Sequence, residues 1–261
     1  MLLARYAPVG SQRYEKLAQA AKSIDKIMEW IPAQLFGIWT IFVAGMAIGK
    51  AQTDRFYFWD WSDWAIGLIG LLIITLIIGF LGIKQRYISI NDISASYKSI
   101  GYHLAFSYVL FGIGFLLFNT ISVINAILCV IVYLAIYLIH IIKCDKSEWI
   151  IISQNEKNVK TGVSILLLII AGVIGYTIND PVLSTAAIVS LPFLVVLLFG
   201  KHIRHLERAK FYPIFIFAMF VVSREAWFLI PLLLLFFILR GYNYLRYQRV
   251  YPTFGVKDDQ S

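Results

Sequence analysis

Seven basic residues lie in two polar segments, each of which follows a long apolar run. Lysine and arginine donate charge-assisted hydrogen bonds to phosphate oxygens, and arginine can donate two in parallel. If both segments lie at the same face of a membrane bundle, their cations are placed to clamp an anionic head group. The alternative is that they are ordinary positive charges of loops on the inner side of a membrane. The residues are Lys84, Arg86 and Lys98 in the first segment and Lys201, Arg204, Arg208 and Lys210 in the second.

The composition is that of a helical membrane protein. Of 261 residues, 60% are hydrophobic and 15% are charged, whereas about a quarter of the residues of a soluble domain are charged. Several apolar runs approach the roughly 20 residues that a helix needs to cross a bilayer. The formal net charge of +8 is assigned to loops at the inner membrane face, so no nucleic acid partner is expected.

The apolar runs predict an all-α, polytopic bundle of eight transmembrane helices in two four-helix halves. Proline, aspartate and asparagine in Thr177–Ser184 predict a turn between the fifth and sixth spans. Gly45 and Gly49 form a GxxxG pair that would let a neighbouring helix approach closely. The predicted spans are 32–49, 64–83, 102–118, 121–142, 161–176, 183–199, 211–222 and 227–240.

These spans divide the chain into five parts. A cytoplasmic arm, 1–31, precedes the first membrane half, 32–142. A cytoplasmic linker, 143–160, leads to the second half, 161–240, and 241–261 forms a cytoplasmic tail. The arm carries an apolar stripe at helical spacing, which predicts an amphipathic helix on the inner leaflet or, alternatively, a helix that binds a partner. The stripe consists of Leu17, Ala21, Ile24, Met28 and Ile31.

The distribution of basic residues fixes the predicted orientation. With eight spans, 20 of the 23 lysines and arginines fall in segments on one side. Cytoplasmic loops carry such an excess of positive charge. The sequence therefore predicts a multi-pass membrane protein with both termini in the cytoplasm.

The loop between the first two predicted spans, Lys50 to Asp63, is rich in aromatic residues and aspartates. Tyrosine and tryptophan favour the membrane interface, so an anchoring belt at the outer face is the first interpretation. A cation or sugar site built on Asp54, Asp60 and Asp63 is the alternative.

The four histidines fall at or near the predicted inner face. His103 and His140 lie at the ends of neighbouring spans, where histidines can ligate a metal or haem. Such sites generally need deeper ligands or supporting carboxylates, so we expect interfacial hydrogen bonding and no metal. Cys129 and Cys144 offer neither a disulfide framework nor the spacing of a zinc site.

The layout resembles the UbiA superfamily of membrane prenyltransferases. In that family, Asp-rich motifs after the second and sixth spans hold magnesium on a prenyl diphosphate, and the first motif has the form NDxxDxxxD. Asn91 and Asp92 match its opening pair, whereas Ala95 and Ser99 stand at its next two acidic positions. In the second loop, Glu207 is the only acidic residue.

The resemblance implies an isoprenoid or lipid diphosphate as ligand, with Mg²⁺ as cofactor only if the prenyltransferase chemistry is retained. Its implied binding residues are Asn91, Asp92, Lys84, Arg86, Arg204, Glu207 and Arg208. We therefore expect a divergent UbiA-like protein that binds or transfers such a lipid at its cytoplasmic face, in contact with membrane lipids. The alternative is a non-catalytic membrane subunit or scaffold that packs against other membrane proteins.

Overall fold

The computed structural model describes residues 2–28, 31–51, 58–81, 97–119, 123–145 and 150–248. Each of the eight predicted spans overlaps a helix, although residues 82–83 and 121–122 of two spans lie outside the described ranges. The described residues confirm an all-α fold. The helices are α4 Ile31–Ala51, α5 Trp64–Leu81, α6 Tyr97–Leu116, α7 Val123–His140, α8 Gln154–Thr177, α9 Pro181–Phe199, α10 Ile203–Arg224 and α11 Leu229–Tyr247.

Three short helices precede α4: α1 Leu2–Tyr6, α2 Gln12–Ser23 and α3 Asp25–Met28. The Ser11 hydroxyl caps α2 by accepting a 3.1 Å hydrogen bond from the Tyr14 amide. Gly10 takes a φ of +83° in the turn between α1 and α2, a conformation that glycine adopts without steric cost. The predicted helix of the arm is thus real, but it is interrupted at Ile24.

Two helices, α8 and α10, begin seven and eight residues earlier than predicted. α8 starts at Gln154, inside the predicted linker, because the Ser153 hydroxyl accepts a hydrogen bond from the Glu156 amide. α10 starts at Ile203, inside the predicted second basic loop, where His202 Nδ1 accepts one from the Arg204 amide. Capping side chains of this kind satisfy the unpaired amides of a first helical turn.

The strands are a minimal pair, β1 Cys144–Asp145 and β2 Ile150–Ile151, which pair antiparallel. Ile150 also bridges to His202. The pair therefore lies beside the start of α10.

Three of the described helices are long and apolar enough to cross a membrane: Gln154–Thr177, Pro181–Phe199 and Ala226–Tyr247, the last counted from a short 3-10 turn, Ala226–Phe228, that precedes α11. Large apolar side chains are also exposed along other helices, such as Ile69, Leu72 and Leu76 of α5. Contiguous exposed apolar surface of this kind is typical of a membrane or partner contact.

The chain divides into two compact units. One unit combines Met1–Phe36 with Leu229–Ser261, and the other is Gly37–Phe228. Within the second unit, α8 packs against both α7 and α9, and the Ser164 hydroxyl of α8 donates to the Ala135 carbonyl of α7 at 2.9 Å. α7 and α8 are therefore packed together although the predicted linker separates them in the chain.

The predicted turn between the fifth and sixth spans is confirmed. Asn179 takes a φ of +60°, and Asp180 caps α9 by accepting from the Leu183 amide at 3.0 Å. Pro181 then occupies the first turn of α9, where its missing amide hydrogen costs nothing.

The close approach predicted from Gly45 and Gly49 is also confirmed. A Cβ on Gly45 would lie 2.2 Å from the Phe111 carbonyl oxygen of α6. In return, a Cβ on Gly114 of α6 would lie 2.2 Å from the Phe42 carbonyl oxygen of α4. The two backbones touch here, and no side chain fits between them.

The arm belongs to the first unit, where part of its apolar stripe faces protein. Leu17 packs with the buried Tyr14 against Tyr244 at the C-terminal end of α11. Of the stripe, Ala21 and Met28 are buried, whereas Ile24 is 40% exposed. The placement of the arm on a membrane leaflet stays a prediction.

Candidate functional site

One end of the second unit is built from the termini of four helices. α8 begins there, and the ammonium of Lys157 in its first turns donates to the Leu198 and Gly200 carbonyls at 3.1 and 2.7 Å. These carbonyls end α9 and lead into α10. Helix C-termini leave carbonyls without intrahelical partners and carry partial negative charge, so a buried lysine satisfies both needs.

Two further lysines serve the end of α7 in the same way. Lys210 is buried and donates to the His140 carbonyl at 3.1 Å. Lys160 donates to the Ile141 carbonyl at 3.4 Å and pairs with Glu156. Lys210 is therefore engaged with protein, contrary to the expectation that it clamps a ligand.

The start of α10 leaves Arg204, Glu207 and Arg208 exposed. Arg204 and Arg208 are four residues apart and so lie on one face of the helix. Among the described residues, the side chains of these three residues make no hydrogen bond or ion pair. Lys201, just before the helix, is exposed as well. Arg204, Arg208 and Lys201 are thus exposed cations at this end, as is Lys143 just after α7.

The other predicted binding residues, Lys84, Arg86, Asn91 and Asp92, lie outside the described residues. The structure therefore describes three of the seven predicted binding residues, Arg204, Glu207 and Arg208. Lys98 lies in the first turn of α6.

Two buried polar atoms near this end have no hydrogen-bond partner among the described residues: the Thr161 hydroxyl and His205 Nδ1. The His205 ring lies against Gly200, where an added Cβ would be 2.6 Å from its Cδ2. Buried polar atoms are usually paired, so His205 adds unused hydrogen-bonding capacity beside Arg204 and Arg208.

His140 and His202 have structural contacts, whereas the side chain of His103 lies outside the described part of the structure. His140 Nδ1 lies 3.1 Å from the Ile136 carbonyl, and His202 caps α10. Over the described ranges, the structure contains no group of three or more His, Cys, Asp or Glu side chains that could hold a metal ion.

A second charged cluster, absent from the predicted site, lies around Glu225, between α10 and the 3-10 turn. The ammonium of Lys50 lies 3.1 Å from Glu225, 2.8 Å from Asp60 and 3.4 Å from Asp63. Trp227 Nε1 donates to Glu225 at 2.8 Å. Glu225 is fully buried, so its charge is compensated by a cation and an indole donor.

Backbone pairing fixes this cluster in place. Trp59 and Asp60 donate to the Ser223 and Arg224 carbonyls at 2.8 and 3.0 Å, and Ala226 donates to Asp60 at 2.9 Å. The Arg224 guanidinium lies 3.9 Å from the centre of the Phe58 ring. The aspartates therefore bind protein cations and amides, while Phe58, Trp59 and Trp61 stay exposed, as an interfacial belt requires.

Sequence reasoning missed Glu225 because its ion-pair partner Lys50 lies 175 residues away in the chain. One signal was present. Lys50, Asp60 and Glu225 all fall in segments predicted to lie on the outer side, where Lys50 is one of three basic residues.

Comparisons with protein-family models, with curated proteins and with solved structures give no match. The function is therefore argued from the residues themselves.

Proposed function

We propose that this protein is an eight-span membrane protein that binds the phosphate head group of an anionic isoprenoid lipid at its cytoplasmic face. Three long apolar helices and the apolar exposed surface of the others support the membrane location. The excess of basic residues in alternate segments supports cytoplasmic termini. The lipid is an isoprenoid because of the UbiA-like layout and the Asn91–Asp92 pair.

A single observation carries the binding site. Lys157, Lys160 and Lys210 are engaged with helix-end carbonyls, whereas Arg204 and Arg208 project outward on one face of α10. Two arginines at this spacing, at the N-terminal end of a helix dipole, favour a phosphate group. The unpaired nitrogen of His205 lies on the same helical turn.

Binding is proposed without transfer of the isoprenoid group. Ionisation of an allylic diphosphate needs strong stabilisation of the leaving oxygens, normally by divalent ions that carboxylates hold. Glu207 stands alone on the exposed start of α10, and Ala95 and Ser99 replace two carboxylates of the family motif. This shortage also favours the second candidate, a non-catalytic membrane subunit.

The test is a titration of the full-length protein in neutral detergent with farnesyl diphosphate, farnesol and inorganic pyrophosphate. We expect farnesyl diphosphate to bind more tightly than farnesol or pyrophosphate, since it offers both the isoprenoid chain and the diphosphate group. Arg204→Glu with Arg208→Glu should weaken its binding by roughly tenfold or more, because hydrogen bonds to charged groups are strong. The loss should be larger at low salt, where screening is small.

A matched control is the double change Lys16→Glu and Lys22→Glu, which alters net charge equally at exposed positions of α2. It should leave binding unchanged. Equal affinity for farnesol and farnesyl diphosphate, or no effect of the arginine changes, would contradict the proposal and favour the membrane subunit.

A further inference from the structure

The arm, here residues 2–28, is held to the C-terminal end of α11 by a set of specific bonds. Tyr14 Oη donates to the Leu245 carbonyl at 3.0 Å, and Tyr244 Oη donates to the Ala7 carbonyl at 2.7 Å. The Tyr14 and Tyr244 rings meet edge to face at 5.6 Å. Both residues are buried.

An ion pair closes the other end of this contact. Arg246 donates to both oxygens of Asp25, each at 2.7 Å. Tyr242 Oη donates to the same carboxylate at 2.7 Å. A two-bond arginine–carboxylate pair fixes orientation as well as distance, so the arm has one defined position on α11.

This position sets the depth of the arm. α11 belongs to a candidate membrane span, Ala226–Tyr247, and the arm covers its last turns, where Tyr242, Tyr244 and Tyr247 cluster. The end of a span lies at the boundary between hydrocarbon and water, and tyrosines collect there. If α11 crosses the membrane, the arm lies at the level of the lipid head groups.

The exposed surface of the arm, on the side away from α11, is suited to the level of the lipid head groups. Leu2, Tyr6 and Val9 are 84%, 62% and 51% exposed, although they are apolar. Arg5 and Arg13 flank them and are exposed, and the Arg13 guanidinium lies 5.0 Å from the centre of the Tyr6 ring. The arm carries five basic and two acidic residues, and Asp25 is already paired with Arg246.

We infer that Leu2, Tyr6 and Val9 insert between the head groups of an anionic leaflet, while Arg5 and Arg13 bind the lipid phosphates. The occupant is a bilayer surface of acidic phospholipid, because exposed apolar side chains match its acyl chains and the exposed cations beside them match its phosphates. This surface is distinct from the predicted stripe, part of which packs on α11. The inference rests on the proposed membrane location, but not on the isoprenoid site.

The experiment measures the reaction of Val9→Cys with a membrane-impermeant maleimide. The protein carries Cys144→Ser, since Cys144 is half-buried, whereas Cys129 is buried. It is placed in nanodiscs of phosphatidylcholine alone or of phosphatidylcholine mixed with phosphatidylglycerol, which leave both faces accessible. The parent with Cys144→Ser alone gives the background from Cys129.

We expect labelling of Val9→Cys to be slower in the anionic nanodiscs. Adding Arg5→Glu and Arg13→Glu should restore fast labelling, since each basic residue near an anionic surface contributes roughly a fivefold preference. Ala20→Cys, at an exposed position of α2 away from the patch, should react equally in both lipids.

Two outcomes would overturn the inference. Equal labelling of Val9→Cys in both lipids would show that no anionic surface covers it. Equal protection in nanodiscs and in neutral detergent would show that protein covers it instead. Ile238→Cys, exposed on α11, tests the membrane location separately: it should be protected in every nanodisc whatever Val9→Cys does.

Discussion

The carboxylate of Glu225 is fully buried, so other residues must compensate its charge. Lys50 and Trp227 both direct donors at Glu225 Oε2. Removing one partner of a buried ion pair leaves an uncompensated charge, whose cost exceeds the value of the pair itself. The cluster is therefore expected to matter for stability and for the connection between α10 and the segment 58–63.

We predict that Lys50→Met lowers the free energy of unfolding by about 3 kcal/mol. Glu225→Gln should have a smaller effect, because its amide oxygen still accepts from Trp227 and Lys50 keeps Asp60. Thermal unfolding in detergent, followed by circular dichroism, measures both. The control is Lys16→Met, at an exposed site of α2, and an equal loss there would contradict the prediction.

The same cluster gives stability a defined dependence on pH. Burial raises the pKa of Glu225 above its ordinary value of 4.5, and this outweighs Lys50 and Trp227, which lower it. Burial also pushes the pKa of Asp60 upward, but hydrogen bonds from Lys50 and Ser62 outweigh it and hold that pKa below 3.8.

The pKa shifts of Glu225 and Asp60 have opposite effects on how the stability of the fold changes with pH. A carboxyl with a raised folded pKa contributes stability below its unfolded pKa and loses it as pH rises through the folded pKa. Asp60 contributes above its unfolded pKa and loses its contribution as pH falls through its lowered one. We expect the stability of the wild type relative to Glu225→Gln to decline as pH rises from 4.5. A constant difference between the two proteins over that range would contradict this assignment.

At the scale of the elements, α4 and α6 depend on glycine at their crossing. We predict that Gly45→Ala destabilises the protein by about 2 kcal/mol, because overpacking forces backbones apart. Gly162→Ala is the matched control, since nothing lies within 4 Å of a Cβ built there; it should be neutral or stabilising, as alanine favours helix. Equal unfolding temperatures for the two variants would contradict the proposed close contact.

The helices α4 to α11 could be predicted from sequence because each contains a continuous apolar run. The start of α5 at Trp64 and the end of α9 at Phe199 were predicted as well, but other ends were not. Lys157 and Lys210 resemble loop residues by charge, yet both are buried and donate to helix-end carbonyls. Long lysine side chains reach polar partners while their stems stay among apolar groups. The starts of α8 and α10 were therefore placed too late in the chain.

Three of the seven predicted binding residues lie in the described part of the chain, and the Glu225 cluster could not be predicted. Arg204, Glu207 and Arg208 are exposed, as expected of ligand-binding residues, and local spacing suffices to put the arginines on one face. The contact of Lys50 with Glu225 joins residues that are distant in sequence. It depends on how the helices pack, which hydrophobic periodicity alone does not encode.

At the scale of the whole molecule, the excess of basic residues in alternate segments predicts eight spans with both termini inside. Reporter fusions after Gln260 and in the loop near Gln52 test this arrangement, because the two sites are separated by an odd number of predicted spans. They should report opposite sides of the membrane. Reporters on the same side would refute the eight-span topology.

The central claim is that the start of α10 holds the phosphate of an anionic isoprenoid lipid. Photolabelling of the membrane-embedded protein with a diazirine-bearing farnesyl diphosphate, followed by peptide mapping, tests it most directly. We predict labelling within and beside residues 201–208, suppressed by unlabelled farnesyl diphosphate but not by farnesol, and lost with Arg204→Glu and Arg208→Glu. Labelling spread over the lipid-exposed helices, and unchanged by those substitutions, would contradict the claim.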